Sequence, residues 1–300
     1  WTNEQAGIPS GWTVQVEGGV TPEPEPERDY LCFTSTGDST VAMKQTGTPS
    51  TPANKVIQYK LNDGQWQNWD LSAVTLHDGD KMYLKSDDEI PISESYSICK
   101  KFVMTGSIVA SGNIMSLLNF STTLTDFAFY KLFNSCTSLT TAPALSATTL
   151  STYCYGSMFY KCTSLTTAPA LPATTLADNC YISMFERCTS LTIAPALPAT
   201  TLQSSCYSSM FNGCTSLVQA PELPATALYN ECYYYMFNGC SNLNYVKALF
   251  TDISAQSCLT GWLANVSTSG TFVKNSAATW TNTDAGIPEG WTVQTASPDK

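Results

Sequence analysis

Between residues 136 and 265 the chain repeats itself every 26 residues, five times over. Cysteines mark the period twice. Cys136, Cys162, Cys188, Cys214 and Cys240 form one series, and Cys154, Cys180, Cys206, Cys232 and Cys258 form a second. Columns of Leu (139, 165, 191, 217, 243), Met (158, 184, 210, 236) and Phe (133, 159, 185, 211, 237) keep the same step. A fixed period of roughly 20–50 residues is the signature of a solenoid, whose units bury their apolar faces only against their neighbours.

The unit reads C-T-S-L-T-x-A-P-x-L-P-A-T-T-L-x-x-x-C-Y-x-S-M-F-x-x. Ser-Leu-Thr-x-Ala-Pro-x-Leu is Thr-rich and short, which predicts a strand stacked in parallel on the next copy. Pro143, Pro169, Pro195 and Pro221 lack an amide donor, so the ladder must bend or end there. Between Cys180 and Cys188 the apolar spacing i, i+4, i+5, i+8 predicts a short helix with one buried stripe. Strand plus helix, with Leu at regular intervals in about 20–29 residues, is the leucine-rich-repeat recipe. The expected fold class is therefore an α/β solenoid of leucine-rich repeats preceded by a small all-β domain. Residues 110–135 align as a degenerate earlier copy, with residues 113–118 as its strand. At the far end Trp262-Leu263 replaces Met-Phe, and Thr271-Phe-Val-Lys274 reads as a last strand.

The segments Leu-Pro-Ala-Thr-Thr-Leu, Cys-Tyr-x-Ser-Met-Phe and Phe-x-x-Cys-Thr-Ser-Leu resemble the BspA-type leucine-rich repeats of surface proteins from anaerobic gut and oral bacteria. The resemblance covers residues 99–294 and implies a secreted or surface-displayed adhesion or recognition protein that is not an enzyme. It implies no transferable binding residues.

Composition narrows the partners. Only 13% of residues are charged and the formal net charge is −10. An acidic, uncharged-polar surface argues against nucleic acid and anionic membranes as partners, because neither meets a basic patch. No apolar run is long enough to insert in a membrane as a helix. No signal peptide is visible, and a chain starting at Trp1 reads as a mature or excised fragment.

Residues 1–15 and 280–294 match at 12 of 15 positions (WTNEQAGIPSGWTVQ and WTNTDAGIPEGWTVQ). The second copy reads as the solenoid's C-terminal cap within residues 266–300. The first reads as the tail of a preceding tandem unit, or else as a locally duplicated capping motif. An array would offer one surface many times and favour multivalent contact. Residues 16–29 carry Thr-Pro-Glu-Pro-Glu-Pro-Glu, a stiff solvated linker. Residues 30–98 read as a β-sandwich of immunoglobulin-like or jelly-roll type, with strands at 30–35, 40–44, 55–61, 65–69, 73–76 and 81–85. Asn62-Asp63-Gly64 is a hairpin signal there. Residues 99–135 read as the N-terminal cap and degenerate copy.

The chain holds twelve cysteines, ten of them in the two repeat columns. Cys180 and Cys188 would lie roughly 12 Å apart along a helix, beyond disulfide reach. Buried free thiols in stacked ladders, bridges between copies, and zinc remain as readings. No C-x-x-C pair occurs and His77 is the only histidine, so neither a metal nor a catalytic residue is assigned, and no cofactor is called for. His77 reads as a solvated turn residue. The Asp78/Asp80 pair is an incomplete calcium-loop pattern, and Asp87-Asp88-Glu89 reads as a solvated acidic loop.

A binding function should appear in columns that vary while the scaffold holds. Thr141, Thr167, Ile193, Gln219 and Tyr245 form such a column, expected on a concave sheet face. Tyr160, Glu186, Asn212 and Asn238 form another near the expected helix end; drift at exposed sites is the bland alternative for both. The Tyr column at 155, 181, 207 and 233 would suit sugar stacking if exposed and packing if not. Expected partners are a host glycoprotein, matrix protein or glycan outside the cell, with neighbouring units of the same protein as a further possibility. A structural rod or spacer of a surface filament or fibre, including a phage-type receptor-binding fibre, is the alternative function.

Overall fold

The computed structural model describes residues 28–48, 55–280 and 285–296. The first copy of the duplicated end motif, and all but the last two residues of the Pro/Glu linker, lie outside the described residues.

The N-terminal part is built from short antiparallel strands. β1 (Leu31–Ser35), β2 (Ser39–Thr46), β3 (Gln58–Leu61), β4 (Gln67–Asn68), β5 (Val74–Leu76) and β6 (Lys81–Lys85) overlap the six strands expected from sequence. β7 (Cys99–Thr105) and β8 (Ile108–Ser111) follow, from the solenoid side of the expected boundary at residue 98. They complete two sheets, β5-β2-β7 and β4-β3-β6-β1-β8. Phe33 of β1 and Phe102 of β7 meet edge to face across these sheets, with ring centres 5.0 Å apart. Alternate side chains of β2, such as Val41 and Met43, point into the same interior.

Residues 113–118 were expected to form a strand. Instead Ile114–Leu118 is a 3-10 helix, capped by the Asn113 side chain, which accepts the Met115 N–H at 3.0 Å. All five helix residues are buried; a short continuous apolar run fits a buried strand and a buried helical turn alike, and here the Asn113 cap starts the turn.

The solenoid contains no α-helix among the described residues, which overturns the expected α/β architecture. Where helices were predicted, the chain runs through overlapping turns. The amides of Cys154, Gly156, Met158, Tyr160 and Cys162 each bond to a carbonyl three residues back in the same coil. The intervening amides of Tyr153, Tyr155, Ser157, Phe159 and Lys161 bond instead to carbonyls of the next coil, at 2.7–3.3 Å. Every second N–H is thus spent between coils, a pattern no α-helix permits. Each fourth residue takes a left-handed conformation: Tyr153, Ser157 and Lys161 in one coil, Asn179, Ser183 and Arg187 in the next. A turn path of period four and a helix of period 3.6 bury the same i, i+4, i+8 positions over nine residues. The apolar spacing could not tell them apart.

The predicted strand segment is also slighter than expected. β9 (Leu139–Thr141) in the first copy joins β8 in parallel, and β10 (Tyr245–Ala248) lies in the last. In the copies between, single-residue bridges carry the pairing, including Thr141 to Thr167 and Thr167 to Ile193. The reason is local. Proline occupies positions 143, 169, 195 and 221 and removes a ladder donor, whereas the last copy has Lys247 in that column and extends to four residues. β11 (Thr271–Lys274) continues the stack, and β12 (Thr292–Thr295) pairs parallel to it, so β11 is not the final strand.

Behind these backbones runs one continuous apolar core from Leu31 to Trp291. Phe133, Phe159, Phe185, Phe211 and Phe237 stack face to face with ring centres 5.3–5.7 Å apart. Both ends are covered. At the start, the Phe102 amide donates to the Leu132 carbonyl at 2.8 Å and its ring stacks on Phe133. At the far end Trp291 is buried and its indole N–H donates to Ser267 O at 2.8 Å. Its ring lies where a side chain on Gly270 would need space.

Candidate recognition surface

The strand column stacks as one line: parallel bridges join Thr141, Thr167 and Ile193, and another joins Gln219 to Tyr245. Thr167, Ile193 and Gln219 are exposed, while Thr141 and Tyr245 are half-buried. Ile193 is the most exposed large apolar side chain among the described residues, at 67%. Among the described residues no bridge joins Ile193 to Gln219. At that seam lies an open cleft of about 400 Å³, bordered by Thr192, Ile193, Val218, Gln219 and Glu222. Ile193, Val218 and Pro221 give it apolar wall, and its rim carries Glu222, whose exposed carboxylate faces Lys247 Nζ at 3.3 Å. Such a cleft can grip an extended segment through apolar contact and a charged rim.

The cysteine columns do a different job. All ten repeat cysteines (Cys136, Cys162, Cys188, Cys214, Cys240, Cys154, Cys180, Cys206, Cys232 and Cys258) are buried free thiols. In the first column Cys136 donates to Phe102 O of β7 at 3.3 Å, and each later thiol donates to a Phe carbonyl of the preceding coil. Cys162 reaches Phe133 O at 3.1 Å, and Cys188, Cys214 and Cys240 reach Phe159, Phe185 and Phe211 at 3.0 Å. Burial pushes the Cys136, Cys188 and Cys240 thiols up to about 12, so they stay protonated and unreactive at neutral pH.

The Tyr column is interior. Tyr155, Tyr181, Tyr207 and Tyr233 are each 1% exposed and stack with ring centres 5.8–6.0 Å apart, which leaves no face for a sugar. His77 and its partner are exposed: its Nδ1 lies 3.0 Å from Asp38 Oδ1, and this contact holds the imidazole above its usual range. Asp80 accepts the His77 N–H and the Asn62 amide, so its carboxylate is spent on holding the turn. Asp88 departs from the solvated loop expected of it: its carboxylate takes Lys55 Nζ at 2.7 Å, and the lysine side chain is 1% exposed. No group of three or more His, Cys, Asp or Glu side chains is placed to hold a metal among the described residues. Also among them, no helix is long and apolar enough to cross a membrane.

The second variable column, Tyr160, Glu186, Asn212 and Asn238, lies on the turn ladder, half-buried beside the left-handed residues. Sequence reading missed the aromatic group of Tyr96, Phe127, Tyr130 and Tyr153, in which Tyr96 packs 4.6 Å from Tyr153 and stays half exposed. Phe127 and Tyr153 are successive members of one repeat column, the signal that could have linked them. No protein-family model, curated protein or solved structure matches the chain.

Proposed function

We propose that this chain is a non-catalytic recognition module working outside the cell, which binds a host glycoprotein, matrix protein or glycan along the strand column of its solenoid. One observation carries the reading: a line of differing side chains, Thr141, Thr167, Ile193, Gln219 and Tyr245, is displayed on a scaffold whose interior columns barely change. A buried scaffold with an exposed varying stripe is how repeat proteins build contact surfaces. Ile193 supplies an apolar anchor of the kind that dominates binding energy when a partner covers it. The resemblance to BspA-type surface repeats supports the same reading.

The test is an array of glycans and matrix proteins probed with the full chain and with Thr167→Glu and Ile193→Glu. Binding lost in both variants, with folding retained, supports the module. Binding that survives both, or no binding to any arrayed ligand, overturns it. The rod or spacer reading has its own support in the two-sided stacking of identical coils. It predicts lengthwise association of the chain that Ile193→Glu leaves intact.

A further inference from the structure

We propose a second binding site, at the junction of the β-sandwich and the first coils, for an anionic saccharide: a sugar bearing a carboxylate or a sulfate. It shares no residue with the strand column and does not rest on the function proposed for that column.

The net charge of −10 conceals a local reversal. Lys44 and Lys101 stand directly opposite each other in the β2–β7 pairing. The 2.8 Å hydrogen bond from Phe102 N to Leu132 O then sets Lys101 beside Lys131 of the first turn ladder. Among the described residues none of these three ammonium groups has a carboxylate within ion-pair distance. Like charges opposed across a ladder are destabilising. The chain has 24 acidic residues against 14 basic ones, yet among the described residues no carboxylate is placed to neutralise these three. A ligand that brings its own negative charge accounts for the arrangement.

The cleft itself selects the rest of the ligand. It measures about 370 Å³, within the range of roughly 300–1,000 Å³ usual for small-molecule clefts. Lys101 and Lys131 line it together with Tyr96, Tyr160, Asn134 and Ser157. Tyr96 is 50% exposed and is braced edge to face by Tyr153, Tyr130 and Phe127 with ring centres 4.6–5.6 Å away, so a half-exposed aromatic ring is held at the rim. Sugars pair such a face with their C–H side and turn hydroxyls toward neutral donors and acceptors, which Asn134, Ser157 and Thr46 supply. The repeat explains why the following copies lack the site. In the Lys131 column the following copies carry Ser157, Ser183 and Ser209, and in the Asn134 column the third copy carries Glu186.

Calorimetric titration of the full chain tests this with four probes: oligogalacturonate, a sulfated galactan oligomer, a neutral galactan oligomer and inorganic sulfate. The expected result is binding of one or both anionic oligomers, with neither the neutral oligomer nor sulfate reaching a tenth of that affinity. Lys101→Gln and Lys131→Gln should each weaken binding about tenfold with an unchanged melting curve, and Tyr96→Ala should weaken it likewise in a protein that is still folded at the titration temperature. Lys44→Gln, on the open sheet face, should lower affinity less but flatten its salt dependence. Ile193→Glu should change nothing, which separates this site from the strand column. Equal binding of the neutral oligomer, full retention in both Lys101→Gln and Lys131→Gln, or no binding of either anionic oligomer overturns the proposal. Sulfate binding as tightly as the oligomers removes the saccharide from it and overturns it as well.

Discussion

The thiol of Cys188 donates to the carbonyl oxygen of Phe159, 3.0 Å away and one coil earlier. That carbonyl already accepts the Cys162 amide at 3.0 Å within its own coil. One oxygen thus closes a turn and ties two coils together, and the contact recurs along the solenoid at Cys162, Cys214 and Cys240. Cys at this column is a small core residue with one directed donor.

Replacing it should therefore cost more than volume alone. Cys188→Ala removes the donor and leaves a void, and should lower unfolding free energy by about 2 kcal/mol. Cys188→Val fills the space without the donor and should lose about half as much. Urea unfolding of the three proteins gives the comparison; a Cys188→Ala variant as stable as the parent would show the contact to be idle.

Burial of the thiols makes the fold sensitive to alkali. The Cys154, Cys188 and Cys240 thiols are raised from 9.0 to about 12, burial being the first cause in each. Unfolded, these groups lose their protons near pH 9, while in the fold they keep them. Their stabilising contribution is therefore complete below pH 9 and is lost as pH climbs toward 12. Each such thiol should steepen the fall by up to about 1.4 kcal/mol per pH unit. Melting temperature should be flat from pH 6 to pH 8 and drop sharply above about 9, and iodoacetamide should label the repeat thiols only after unfolding. Rapid labelling of the folded protein at pH 8 would contradict this.

Left-handed residues close each turn ladder, and their column mixes Lys161 and Arg187 with Gly213 and Gly239. A side chain at positive φ costs about 1 kcal/mol that glycine does not. Arg187→Gly should stabilise the protein by up to about that amount. Gly213→Ala, at φ +73° and with its new Cβ 3.2 Å from Arg187 Cγ, should destabilise it similarly. Thermal melts of the two variants moving in the same direction would count against the turn geometry.

The buried Lys55 and its partner Asp88 should respond unequally to mutation. Asp88→Ala strands an ammonium whose side chain is 1% exposed, and should cost about 3 kcal/mol. Lys55→Met replaces that ammonium with an apolar group of similar length, leaving Asp88, at 32% side-chain exposure, open to water. It should cost under about 1 kcal/mol. Equal losses in chemical denaturation would mean that burial of Lys55 is not what makes the pair matter.

How much of this was written in the chain can be judged residue by residue. The 26-residue step determined which side chains meet: Phe159 stacks on Phe185, and Thr141 bridges to Thr167, because equal spacing puts equal positions side by side. Proline at 143, 169, 195 and 221 announced where pairing would shrink. The strand at residues 40–44 and the Asn62 turn were equally plain. Tertiary structure alone decided what path the chain takes between Cys180 and Cys188. There the amides of Tyr181, Ser183, Phe185 and Arg187 bond to the neighbouring coil, and a helix would have kept those bonds to itself. Whether a donor finds its partner four residues back or one coil away depends on what lies alongside, and no local spacing records that. The Lys101–Lys131 cleft was hidden for the same reason: residues 30 apart in sequence become neighbours only when a sheet edge docks on a coil.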